Sequence, residues 1–250
     1  MSADQSSGIE KIHRQDIKHV VAVGSGKGGV GKSSVTALLA VGASRAGFKV
    51  GILDADITGP SIPKMFGLKT IDRNKGFAPM ETARGIKIMS LNLLLPSEDD
   101  PVIWRGPLIA GTVKQFWTEV EWGKLDYLFI DLPPGTADAP LTVMQTIPLE
   151  GLVIVSSPQD LAIMVVKKAL KMAGAMNVPV LGLVENMSYM VCPSCGERIE
   201  VFGSSKAKEV TTVTGLPLLD ILPLDKTLAE FCDNGQIENY ETELFKKLKI

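Results

Sequence analysis

The chain has 250 residues, 45% of them hydrophobic and 22% charged, which supports a globular core and excludes the disordered class. Lys and Arg number 26 against 28 Asp and Glu, and the net charge of -2 excludes a global positive field for nucleic acid or anionic lipid. The 3 cysteines are too few for a disulfide scaffold. Two of them form Cys192-Pro-Ser-Cys195, which points to a metal or redox site in a reducing compartment.

Taken in chain order, residues 1–17 are polar, carry charges of both signs and lack an apolar h-region. They are expected to be a flexible tail rather than a secretory signal, with residues 18–250 forming a single domain. Apolar strand-length runs follow at His19–Val23, Val50–Leu53, Ile86–Met89, Tyr127–Ile130, Gly151–Val155, Val178–Val184 and Leu216–Leu222. Most are solidly apolar rather than alternating, which predicts a sheet buried on both faces. Between the first two, Val35, Leu38, Leu39 and Gly42 recur at helical spacing, and Gly47 is placed to end that helix. Leu108–Val120 and Leu161–Met176 read as further helices. The alternation predicts an α/β fold, a doubly wound and mostly parallel sheet in a three-layer αβα arrangement, with ligands beyond the carboxyl ends of the strands. No apolar run reaches the roughly 20 residues that span a bilayer, so the expectation is a soluble, cytoplasmic protein.

After the first strand comes Gly26-Lys27-Gly28-Gly29-Val30-Gly31-Lys32-Ser33, followed by Ser34 and the helix. This is a phosphate-binding loop in its required strand–loop–helix setting. Glycines let backbone N–H groups close on phosphate oxygens, Lys32 reaches the β- and γ-phosphates, and Ser33 is a Mg²⁺ ligand. Asp54 and Asp56 end the second strand two residues apart, so their carboxylates point the same way, toward phosphate and Mg²⁺. The competing reading is that one of them caps the helix after Pro60. Asp131 follows four apolar residues, the pattern of a carboxylate beside Mg²⁺, and Gly135 four residues on suits a backbone amide that senses the γ-phosphate. Asn186 closes the strand before the cysteines; its amide matches the N6/N7 edge of adenine, and on spacing alone a turn-forming Asn is an equal reading. Pro223 lies where the same pocket would be lined.

Cys192-Pro-Ser-Cys195-Gly196 reads as a knuckle whose turn aims both sulfurs one way while backbone amides donate to them. A tetrahedral Zn²⁺ or an iron–sulfur cluster needs four ligands, and two copies of the pair across a two-fold axis supply them. A redox-active pair and a structural zinc bridge are the alternatives. Cys232 reads as a small packed residue.

With Lys27 inside it, the loop resembles the deviant phosphate loop of MinD/ParA/Mrp-type ATPases. Together with Trp104-Arg105-Gly106-Pro107, the run from Asp131 to Thr136 and that from Glu185 to Gly196, residues 18 to about 235 resemble the Mrp/ApbC family of iron–sulfur cluster carrier ATPases. The resemblance implies a MinD-like P-loop NTPase fold and an ATP-bridged homodimer in which Lys27 reaches the partner's nucleotide. It implies that Asp56 orients the attacking water, that Asp54 joins the water shell of Mg²⁺ and that Asn186 reads adenine. It further implies that Cys192 and Cys195 bind a [4Fe-4S] cluster between subunits, handed on to apo-proteins. No basic finger beyond Lys27 is evident, so hydrolysis is expected to be slow. A positioning ATPase that binds membrane or DNA, or a reductase working through the bridging cluster, are the competing functions. The tail Tyr240–Ile250 has apolar residues on one face with two glutamates offsetting its lysines, and is expected to dock on the protein's own core rather than on a membrane.

Overall fold

The first strand sets the architecture. The structure, a computed structural model, describes residues 16–56, 59, 61–69, 78–90, 106–136, 138–159 and 162–248. The expected tail lies outside these residues up to position 15, and Ile17 already belongs to the fold, buried and paired with Leu125. Strand β1 (Ile17–Ser25) is buried continuously from Val20 to Ser25, as its solid apolar run requires. It lies between β5 (Leu125–Asp131) and β6 (Gly151–Ser156), parallel to both. On one side β2 (Val50–Asp54) and β4 (Lys87–Ser90) continue the parallel pairing, and β3 (Met80–Glu81) closes the edge antiparallel. On the other side come β7 (Val180–Glu185) and β10 (Leu218–Ile221). The 8-stranded order is therefore β10-β7-β6-β1-β5-β2-β4-β3.

Helices α1 (Lys32–Arg45), α2 (Ile62–Met65), α3 (Gly106–Glu119), α4 (Asp138–Thr146), α5 (Ala162–Ala175), α6 (Ala207–Thr214) and α7 (Lys226–Asp233) flank this sheet. The strand order reverses around β1, which makes the carboxyl edge beside it the natural ligand crevice. Among the described residues no helix is long and apolar enough to cross a membrane.

Helix α1 departs from the expected one-sided stripe, because every residue from Val35 to Ala43 is buried. A helix covered all round needs a second lid besides the sheet. The C-terminal segment supplies it. A 3₁₀ turn at Leu244–Lys247 sets Phe245 so close to α1 that a Cβ on Gly42 would fall 2.8 Å from the Phe245 Cβ. Phe245 also meets Phe48 and Tyr127 edge-on, with ring centroids 5.6 and 5.1 Å apart. The tail thus docks on the core, through a short 3₁₀ turn rather than an α-helix, with a second such turn at Ile237–Asn239 just before it.

Candidate functional site

Parallel register places the acidic groups. Asp54 pairs with Asp131 on one side and with Ser90 on the other, so two carboxylates stand side by side at the carboxyl edge of adjacent strands. Both are buried, Asp131 fully. Burial, and after it the charge of Asp131, holds the Asp54 carboxyl well above the ordinary carboxylate range, while Lys32 pulls it back. Burial also raises Asp131, against Lys32, Ser33 and Thr36. Such a pair calls for a cation.

The loop after β1 delivers one. Lys32, 6% exposed at the start of α1, sets Nζ 2.8 Å from Asp131 Oδ1 and 3.4 Å from Asp56 Oδ2. Ser33 Oγ donates to Asp131 Oδ2 (2.5 Å) and Thr36 Oγ1 to Asp131 Oδ1 (2.8 Å). Asp56 N–H and Ser90 Oγ donate to the two oxygens of Asp54, at 3.1 and 3.2 Å. Hydroxyl and carboxylate oxygens converging in this way are the donor set of a hard divalent cation. Beside them a cleft of about 240 Å³ opens between Gly28, Gly29 and Ser34 on one wall and Asp56, Gly59 and Ser61 on the other. Thr58 and Pro60 lie outside the described residues, as do Trp104 and Arg105.

Packing alone leaves no room for a side chain at two glycines of the loop. A Cβ on Gly26 would lie 2.3 Å from Val165 Cγ1 on α5. Gly31 has φ +78, and a Cβ there would lie 2.2 Å from Asn186 Nδ2. That amide, 4% exposed, donates to Val30 C=O at 3.0 Å, so Asn186 stitches the end of β7 to the phosphate loop. Its contact with the loop had no local signature in the sequence. Gly135 (φ +90) donates its N–H to Ser25 C=O at 3.0 Å. Lys27 Nζ is hydrogen-bonded to Gln159 Oε1 on the loop after β6. Pro223 stands between Leu222 and Leu224, whose N–H groups bond Glu185 C=O and Tyr189 C=O, which puts it beside the Asn186 segment.

The cysteine motif folds as a small hairpin of its own, β8 (Met190–Val191) against β9 (Arg198–Ile199), apart from the main sheet. Cys192 N–H bonds Glu197 C=O and Gly196 N–H bonds Cys192 C=O, closing the knuckle. The backbone amide of Cys195 and then that of Ser194 donate to the Cys192 sulfur and lower its pKa. Stabilising a thiolate in this way is what metal ligation asks of a cysteine. Cys195 is exposed, and so are the apolar side chains of Val191 and Ile199 on the hairpin and of Val201 and Phe202 just after it. Among the described residues no three His, Cys, Asp or Glu side chains gather where they could hold a metal ion. Cys232 lies on α7, half-buried, and burial raises its pKa.

Sequence reasoning missed Thr36, Ser90, Gln159 and Glu185. Thr36 was within reach, one helical turn after Lys32; Ser90 depends on strand order and Gln159 on a contact across the sheet edge.

The family model described as ParA: NUBPL iron-transfer P-loop NTPase matches residues 16–249. A protein of Clostridium perfringens (strain 13 / Type A) named iron-sulfur cluster carrier protein is 50% identical over 238 residues, 91% of this chain and 84% of that one. The iron-sulfur cluster transfer protein NUBPL of Dictyostelium discoideum is 41% identical over 261 residues, 97% of this chain and 80% of that one. A solved nucleotide-binding protein from Archaeoglobus fulgidus, in complex with ADP and with Co found by PIXE, superposes with a TM-score of 0.83 at 49% identity. That match covers 94% of this chain and 93% of the other. A cell division ATPase MinD from Pyrococcus furiosus, at 23% identity and TM-score 0.63 over 92% of this chain and 94% of its own, shares the fold. The chain belongs to the ParA-type family of NUBPL iron-transfer P-loop NTPases.

Proposed function

We infer that this protein is an ATP-binding and slowly hydrolysing carrier that holds a [4Fe-4S] cluster as cargo between two copies of itself and passes it to apo-proteins. The observation that carries the reading is the hairpin. It presents two thiols and no third ligand among the described residues, so a four-ligand cargo needs a second chain. Cluster carrier and cluster transfer are also what its relatives are named for. Its cysteines are free thiols, which fits a reducing cytoplasm.

In this reading residues 18–250 act as one ATPase domain, whose first strand also takes in Ile17. The loop from Gly26 to Ser34 wraps the phosphates, with Lys32 leaving Asp131 and Asp56 to bind the β- and γ-oxygens. Ser33, Asp54 and Asp131 would hold Mg²⁺, which would neutralise phosphate charge. Asp56, freed of Lys32, orients the attacking water. A γ-phosphate that captures Gly135 N–H takes it from Ser25, and a partner's nucleotide that captures Lys27 takes it from Gln159. Each exchange makes occupancy a switch. Asn186 and Pro223 border the base.

Anaerobic reconstitution with iron and sulfide tests the reading. The expected yield is one cluster, with acid-labile sulfide, per two chains. Cys192→Ala and Cys195→Ala are expected to abolish it; equal cluster in those variants refutes it, and four thiolates holding metal without sulfide replace it with a zinc-bridged dimer.

A further inference from the structure

Four consecutive residues, Glu185 to Ser188, connect the loop after β1 with the cysteine hairpin. Glu185 ends β7, 1% exposed, and both its oxygens are engaged: Oε1 accepts from Ser188 Oγ at 2.6 Å and Oε2 from Lys206 N–H at 2.9 Å. The whole cysteine hairpin lies between those two donors, so one buried carboxylate clasps both of its feet. Asn186 follows, donating to Val30 C=O in the phosphate loop and anchored by its own N–H to Ser156 C=O at 2.8 Å. Met187 has φ +57, a left-handed conformation that side chains other than glycine's rarely adopt. Ser188 N–H bonds Leu222 C=O at 2.9 Å. Strain held at such a junction is characteristic of switch segments, and here it separates the residue bound to the loop from the residue bound to the clasp.

We propose that Glu185 is a positioning residue for the cysteine pair, and that the Glu185–Ser188 turn couples the state of the phosphate loop to the setting of the cysteine hairpin. The proposal rests on reading residues 26–33 as the nucleotide loop and Cys192 and Cys195 as the cargo ligands. When phosphate seats against the loop, Val30 shifts, Asn186 follows it, and Met187 transmits the displacement to Ser188 and the clasp. The route is a contiguous chain of hydrogen bonds and one strained backbone residue, the kind of connection through which coupling energy travels.

The test uses cluster-free protein carrying Cys232→Ala, so that alkylation by a neutral thiol reagent reports the pair alone, measured with and without Mg-ADP. Coupling of ordinary size changes the alkylation rate by about fivefold or more. Glu185→Ala cuts both ties and is expected to bring that ratio to about 1, with the Kd for Mg-ADP within about twofold of the parent's. Glu185→Gln is expected to restore the ratio, because its oxygen accepts from Lys206 N–H while its amide donates to Ser188 Oγ. Ser188→Ala cuts one tie, reduces the ratio without abolishing it, and stands in if Glu185→Ala does not fold. A parent ratio of 1, a full ratio in Ser188→Ala or Glu185→Ala, or Glu185→Gln behaving like Glu185→Ala overturns the proposal. So does a parallel loss of Mg-ADP binding in the alanine variants, which marks a general structural role. A failure here leaves the sulfide assay of cluster binding untouched.

Discussion

Gly29 and Gly31 offer a controlled comparison within one loop. Both have φ +78, but a Cβ on Gly29 meets nothing within 4 Å, whereas one on Gly31 would lie 2.2 Å from Asn186 Nδ2. Alanine at either position carries a left-handed penalty of roughly 1–2 kcal/mol, reduced by roughly 0.4–1 kcal/mol through the stiffer unfolded chain. Gly29→Ala should therefore cost about 1 kcal/mol. Gly31→Ala must also expel the buried amide from Val30 C=O, leaving a buried donor and acceptor unpaired, which adds roughly 1–3 kcal/mol. For a chain of this size each kcal/mol lowers Tm by roughly 2–4 °C, so the expected losses are about 3 °C for Gly29→Ala and about 6–12 °C for Gly31→Ala. Thermal denaturation without added nucleotide measures both. In an Asn186→Ala background the collision partner is gone, and Gly31→Ala should cost only about 1 kcal/mol again. Equal losses for the two glycines, or strict additivity of Gly31→Ala with Asn186→Ala, would refute the contact between the end of β7 and the loop.

Other substitutions probe the remaining parts. Asp131→Asn keeps the side-chain shape but removes the charge that faces Lys32 and Ser33, and is expected to lower Mg²⁺-dependent ATP hydrolysis by roughly 10²-fold or more in a phosphate-release assay. Phe245→Ala empties the lid over Gly42, Phe48 and Tyr127 and should destabilise by about 3 kcal/mol in chemical denaturation. Asp126 accepts from Lys18 Nζ at 2.7 Å and Lys49 N–H at 2.8 Å, and the Lys18 bond, with the Lys49 amide second, lowers its pKa from 3.8. A lowered carboxylate stabilises the fold above its unfolded value and loses that contribution as pH falls through the folded one. The stability gap between parent and Asp126→Asn should accordingly be full at neutral pH and close as pH drops below 3.8, followed by denaturation across an acid series.

Local patterns carried the parts of the site that are contiguous in the chain. The loop from Gly26 to Ser33, the aspartate after the apolar run of β5 and the knuckle at Cys192 each announce themselves within a few residues, because their chemistry depends on backbone geometry close by. What escaped notice depends on residues far apart in sequence. Ser90 serves Asp54 because β4 lies beside β2, and nothing near Ser90 records that. Asn186 has the residue type for reading a base, yet its amide is bound to Val30, a contact set by how β7 approaches β1 across β6. Glu185 reads as an ordinary strand end until both flanks of the hairpin are seen on its two oxygens. The C-terminal tail showed its apolar face but not its 3₁₀ form, which follows from seating Phe245 against the bare backbone of Gly42.

The central place of β1 has a consequence for biogenesis. Ile17 pairs with Leu125 and Val21 with Gly151, so this strand has no sheet partner until the ribosome has made the chain well past residue 125. At roughly 5–20 residues per second the wait is on the order of ten seconds, during which a strand destined for full burial stays in contact with water. The phosphate loop hangs from that same strand and is shaped only once β5 and β6 arrive. Nucleotide can therefore stabilise this fold only after the sheet around β1 has assembled, at the last stage of folding.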